Sequence, residues 1–92
     1  MSVEDIYDAC RELAPLLDDA NRRLKQNFEQ LCAEEDALRA DWDDEMGREF
    51  RARWAPLAED MARYVDRVGP EYFEELIARL KHLERYLYGS RS

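Results

Sequence analysis

Apolar residues recur along the first half of this chain in alternating steps of four and three. Val3, Tyr7, Cys10, Ala14, Leu17, Leu24, Phe28, Leu31, Leu38 and Trp42 fall on that series, and only Asn21 and Glu35 place polar groups in it. A repeat averaging about 3.5 residues marks a helix with one apolar seam. The second half repeats the pattern at Phe50, Trp54, Leu57, Met61, Tyr64 and Val68, slips phase, and resumes at Phe73, Leu76, Leu80, Leu83 and Leu87. The slip falls at Gly69-Pro70, where glycine suits a helix end and proline the first residue of the next. Pro15 lacks an N–H and costs about 3 kcal/mol in a helix interior, so the first helix is expected to kink there or to start as a short separate piece.

The pattern therefore predicts one all-α domain over 1–92. Its parts are a first helix over 3–41 with a kink at Pro15, a turn at 42–44, a second helix over 45–68, and a third over 71–88 after a break at Gly69-Pro70. The turn divides the chain almost in half, so the halves fold back as an antiparallel hairpin. Placing the bend between residues 42 and 43 sets Leu17 opposite Val68, Leu24 opposite Met61, Phe28 opposite Leu57 and Leu31 opposite Trp54. The same register sets Asn21 level with Tyr64, Leu38 level with Gly47 and Pro15 level with Pro70. A hydrogen bond from Asn21 to Tyr64 would fix that register, and Arg51 and Arg53 are the nearest cations to Glu35.

Two helices are thin support for a chain of 92 residues, because each has one neighbour to bury against. Beside the first seam lie Ile6, Leu13, Leu16 and Ala20, and beside the second Ala58, Ala62 and Val65. The apolar stripe is thus wider than a two-helix contact needs. A second hairpin completing a four-helix bundle would cover it. The net charge of -8 disfavours nucleic acid and anionic lipid as partners. No run approaches membrane-spanning length, and Met1-Ser2-Val3-Glu4-Asp5 lacks a basic region followed by an apolar stretch, so any export is expected to proceed without a standard signal peptide.

Catalytic and metal chemistry find little to stand on. His82 is the single histidine and has no second nitrogen or cysteine at metal-ligand spacing. The serines are Ser2, Ser90 and Ser92, and no nucleophile and base pair can be assembled. Glu34, Glu35 and Asp36 are adjacent on a helix and so diverge. An acidic calcium loop counted from Asp41 would need glycine and an acid where Met46 and Ala52 stand. Asp41, Asp43, Asp44 and Glu45 instead suit the N-terminus of the second helix, where a carboxylate accepts free N–H groups and meets the positive end of the dipole. Cys10 and Cys32 lie about 33 Å apart along one helix, beyond disulfide reach. No enzyme activity, cofactor or metal is expected.

The bend carries a family resemblance. Trp42 and Phe50, separated by seven residues in a turn between two long helices, resemble the small helical-hairpin proteins of the WXG family, the early-secreted-antigen-like substrates of type VII secretion. Asp44-Glu45-Met46-Gly47-Arg48-Glu49-Phe50, followed by Trp54 and Pro56, resembles the Asp-x-x-Gly-x-x-Phe-x-x-x-aromatic-x-Pro form of actinobacterial members. The layout matches over roughly residues 10 to 88, the motif over 42 to 56. Asp44 stands where the family has glycine two residues after the tryptophan. The family's tail signal, tyrosine followed four residues later by an acid, is missing: Val68, Leu76, Ser90 and Ser92 follow Tyr64, Tyr72, Tyr86 and Tyr88 at that spacing.

The resemblance implies a homodimer, or a heterodimer with a related hairpin, secreted as a folded pair through a type VII machine whose ATPase is a further contact. The rival reading is a cytoplasmic adaptor that pairs with the N-terminal hairpin of a larger toxin and delivers it. In either case the bend residues Trp42, Asp44, Gly47, Phe50, Trp54 and Pro56 shape the hairpin end, and the two apolar flanks form the partner surface.

Overall fold

The computed structural model describes residues 1–89. The chain is all-helical among them and forms one antiparallel hairpin. Helix α1 runs Val3–Asp41, α2 runs Glu45–Arg63, a π-helical turn occupies Tyr64–Val68, and α3 runs Gly69–Tyr88. Ser2 caps α1 by accepting the Asp5 N–H at 3.1 Å, while its own N–H donates to the Asp5 carboxylate at 3.2 Å, so two orphan donors are satisfied reciprocally. Asp44 caps α2, its carboxylate accepting the Gly47 N–H at 2.8 Å. Of the four acids at the turn, Asp44 is the one that caps, while Asp43 pairs with Arg48 at 3.7 Å and Arg51 at 3.8 Å.

Pro15 lies inside α1, exposed, and the helix continues through it as a single 39-residue element, so the alternative of a short separate first piece does not occur. Gly69-Pro70 is no stop and restart either, since Gly69 is helical at φ -59 and ψ -51 and its N–H donates five residues back to the Tyr64 carbonyl. The second half is therefore one helical rod with a π-turn in it. The reason is phase. Met61 and Phe73 both face α1, yet twelve regular helical positions would turn them about 120° apart; one extra residue in a widened turn takes up most of that rotation.

The contacts between the two rods are set at three levels. At the bend, Leu31 and Leu38 share a hollow with Phe50 and Trp54. Near the middle, the Asn21 amide donates to the Gly69 carbonyl at 2.9 Å. At the open end, the Tyr7 hydroxyl donates to Glu84 at 3.2 Å, and its ring meets Tyr88 edge-on at 5.7 Å. Asn21 thus fixes the register through a backbone carbonyl and not through the Tyr64 hydroxyl. Pro70 lies beside Asp18, Asn21 and Arg22, not level with Pro15. The predicted Leu24 with Met61 and Leu31 with Trp54 groupings do meet.

The result is a slab 64 × 27 × 17 Å with a radius of gyration of 20.0 Å, where a compact chain of this length has about 12 Å. Tyr7, Ala14 and Val65 are the buried apolar residues. Much of the predicted seam is not covered: Leu24, Leu31, Leu38, Phe50 and Leu57 are exposed. A strict 3.5-residue repeat drifts by roughly 20° per heptad on a straight helix. These five positions therefore rotate out of the two-helix contact and onto one face of the slab.

Candidate functional site

Trp42 closes α1, donating its N–H to the Leu38 carbonyl at 2.9 Å. Its own carbonyl accepts from the Arg51 guanidinium at 2.7 Å, which ties the last residue of one helix to the second turn of the next. The Trp42 ring packs on Phe50 at 5.8 Å between centroids, and Phe50 stacks on Trp54 at 6.5 Å, so the three bend aromatics form one row. Gly47 is buried beneath them. A Cβ there would stand 2.8 Å from the Trp42 carbonyl oxygen and 3.1 Å from its ring, so close approach, not unusual φ, demands glycine. The residue that Gly47 makes room for is Trp42, not Leu38. Pro56 lies exposed inside α2, and Asp44 acts through the cap already described.

Among the described residues Glu35 is the one buried charged residue, 7% exposed. Its partner is Arg39, one turn on in the same helix, at 2.6 and 3.3 Å through two nitrogens. Neither Arg51 nor Arg53 pairs with it, although Arg51 lines the same depression. The hydrogen bond to Glu35, then its charge, raise the Arg39 guanidinium above its ordinary pKa. At the open end, burial and then the Glu84 carboxylate push the Tyr7 phenol upward. Arg11 lies over the Tyr7 ring at 5.7 Å.

The two broad faces of the slab differ. Helical geometry, about 100° per residue, places Ile6, Leu13, Leu16, Ala20, Leu24, Leu31 and Leu38 along one flank of α1. On the same face α2 presents Phe50 and Leu57. Between the helices there, Leu24, Phe28, Leu31, Met61, Tyr64 and Val65 line an apolar hollow of about 240 Å³, with Asn27 and Asp60 at its edge. The Leu31, Leu38, Phe50 and Trp54 hollow, about 180 Å³, continues it toward the bend. Leu16 is 66% exposed and Leu13 50%. The opposite face carries Asp18, Arg22, Lys25, Asp66 and Glu74 around one depression, and Glu35, Arg39, Arg51 and Glu59 around another.

This placement divides the predicted partner residues. Ile6, Leu13, Leu16 and Ala20 are exposed on the apolar face. Val65 is buried between the rods, and Ala58 lies on the side of Glu35 and Arg39. Ala62 is half-buried on that same flank of α2. The second rod contributes Phe50 and Leu57 to the apolar face in their place, while half-buried Met61 stays against α1 beside Leu24 and Phe28. Sequence reasoning assigned Phe50 and Leu57 to the internal seam, and the drift of a 3.5 repeat against a 3.6-residue helix is the signal that separates the two roles.

Among the described residues no group of three or more His, Cys, Asp or Glu side chains is placed to hold a metal ion, and no helix is long and apolar enough to cross a membrane. Cys10 and Cys32 are half-buried thiols with no disulfide. The tail positions Ser90 and Ser92, on which the missing export signal was judged, lie outside the described residues. No family model matches the chain, and neither does any curated protein or solved structure.

Proposed function

We propose that this chain is a small WXG-like protein that acts by pairing its apolar face with a second helical hairpin, as one half of a four-helix bundle handled by a type VII secretion machine. The observation that carries the pairing is area. The chain exposes 7434 Å² at a mass of 11.0 kDa, whereas a compact monomer of that mass exposes about 5,600 Å². An elongated pair of rods leaves more surface uncovered than a compact fold, and part of that surface is the apolar face carrying Leu13, Leu16, Leu31 and Leu57. The secretion assignment rests on the bend alone, where Trp42, Asp44, Gly47, Phe50 and Trp54 resemble the family turn.

One feature favours the cytoplasmic adaptor as a second reading. In this sequence no tyrosine is followed four residues later by an acid, the spacing of the family's tail signal. Both readings are tested by expressing the chain alone, with a helical-hairpin neighbour, and with a toxin bearing an N-terminal hairpin, then assaying co-purification and the culture medium. Export only beside a partner with an intact tail signal supports the secreted pair. Retention in the cytoplasm while a toxin is exported supports the adaptor. A chain that co-purifies with neither and stays monomeric refutes both.

A further inference from the structure

We propose that the depression on the charged face, which Arg39 and Arg51 line together with Trp54, Ala55 and Ala58, binds a small amphipathic carboxylate, with Glu35 as the residue that positions Arg39 for it. The depression lies on the face opposite the apolar one. It therefore stands independently of the pairing proposed above and stays open if that pairing occurs.

The first ground is the buried carboxylate of Glu35. It occupies a seam position that leucine would suit, and a buried ion pair is often no more stabilising than apolar residues of similar volume. Stability therefore gives little reason for a carboxylate there. What Glu35 does is hold a neighbour: it accepts from Nε and one terminal nitrogen of Arg39 at 3.3 and 2.6 Å. That two-point contact fixes the plane of the guanidinium and leaves its second terminal nitrogen for another acceptor. Arg51 is held in a comparable way. One of its terminal nitrogens donates to the Trp42 carbonyl at 2.7 Å, its side chain is half-buried, and its Nε is left for another acceptor. Two guanidinium groups already ordered by acceptors within the protein lose little further side-chain freedom when they bind an anion.

The lining decides what kind of anion. The depression is about 520 Å³, within the roughly 300–1,000 Å³ of small-molecule clefts. The Trp54 ring and the methyl groups of Ala55 and Ala58 give it an apolar lining, which suits a hydrocarbon body and offers nothing to a fully hydrated ion. Arg39 offsets Glu35, so Arg51 supplies the uncompensated charge beside the lining. Glu59 also lines the depression, but stands eight residues from Arg51, about 12 Å along α2. The net charge of -8 opposes a doubly charged phosphate more than a singly charged carboxylate.

Titration of the ¹⁵N-labelled chain with hexanoate, followed at the Trp54 indole N–H by NMR, tests this, with hexylamine, hexanol and inorganic phosphate as comparison probes. Hexanoate is expected to give a saturable shift that hexylamine and hexanol do not. Arg51→Gln should weaken binding roughly tenfold, as expected for loss of one hydrogen bond to a charged group, and Glu59→Gln should tighten it. Glu35→Leu is the variant that separates positioning from folding: it should keep or raise the melting temperature, yet weaken hexanoate about as much as Arg51→Gln does. Unchanged affinity in a folded Glu35→Leu variant overturns the role of Glu35. No saturable shift with hexanoate, an equal one with hexanol, or one with phosphate alone overturns the carboxylate site. None of these outcomes bears on whether the apolar face pairs.

Discussion

Gly47→Ala is the sharpest single test of the bend, because two effects of opposite sign meet there. Replacing a helical glycine by alanine ordinarily stabilises by up to about 1 kcal/mol, and Gly47 has ordinary helical dihedrals with no positive φ. Against this, the new Cβ would lie 2.8 Å from the Trp42 carbonyl oxygen and 3.1 to 3.2 Å from two ring atoms. A backbone oxygen cannot rotate away. Relief requires the start of α2 to move off the end of α1, which lengthens the 2.7 Å hydrogen bond from Arg51 to that carbonyl and loosens the Trp42 and Phe50 packing. A hydrogen bond to a charged group contributes about 1.5–3 kcal/mol and an aromatic pair about 0.5–1.5, so partial loss of both outweighs the propensity gain. The expected net is a destabilisation of about 1–3 kcal/mol, or a melting temperature lower by roughly 5–15 °C for a chain of this size. Circular dichroism melts of parent and variant at one protein concentration measure it, with tryptophan fluorescence reporting on the bend. A variant that melts at or above the parent would show that the bend is loose and that the Gly47 contact is not a constraint.

Three further outcomes follow from other contacts. Arg39→Ala leaves the Glu35 carboxylate buried without its partner and should cost about 1–3 kcal/mol, whereas Glu35→Leu restores an apolar seam position and should be neutral or stabilising; urea midpoints ranked the other way would refute the pair's role. Because the folded state raises the Tyr7 phenol pKa, its contribution to stability is complete below about pH 10 and is lost as pH rises through the folded value. Alkaline titration monitored by helicity should show that loss, and Tyr7→Phe should abolish it. If the chain pairs with itself, two copies each carrying a net charge of -8 repel, so self-association should strengthen from about 50 to 500 mM salt; weakening over that range would mean that salt-sensitive attraction holds the copies together.

The hairpin, its bend and the Asp44 cap were readable because each depends on short-range pattern: a seam of period near 3.5, an acidic turn, and a carboxylate three residues before a free N–H. The details that escaped depend on rotation about the helix axis, which errors accumulate over many turns. Leu24 and Leu31 stand on the same series as Tyr7 and Ala14, yet drift carries them out of the contact. Gly69-Pro70 reads locally as a helix end, but the five-residue step from Val68 to Phe73 in the seam was the better sign that the rod continues through a wide turn. Arg39 follows Glu35 by one helical turn, a pairing legible from spacing alone, whereas the cross-hairpin cations Arg51 and Arg53 depend on the register. The side of the slab that stays uncovered could be assigned only once the buried sides of both rods were known.

The π-turn at Tyr64–Val68 also bears on how this chain tolerates changes in length. Beyond it, α3 keeps the phase that a chain one residue shorter would have in an unbroken α-helix. The turn holds one surplus residue without rotating the rest of the helix out of phase. Deleting one residue between Met61 and Phe73 should therefore leave the apolar side of α3 facing α1, while the same deletion within Leu76–Leu87 would turn the following residues by about 100° and uncover them. The hairpin is forgiving of a lost residue at this place and unforgiving elsewhere along the same rod, so related chains are expected to differ in length at the π-turn.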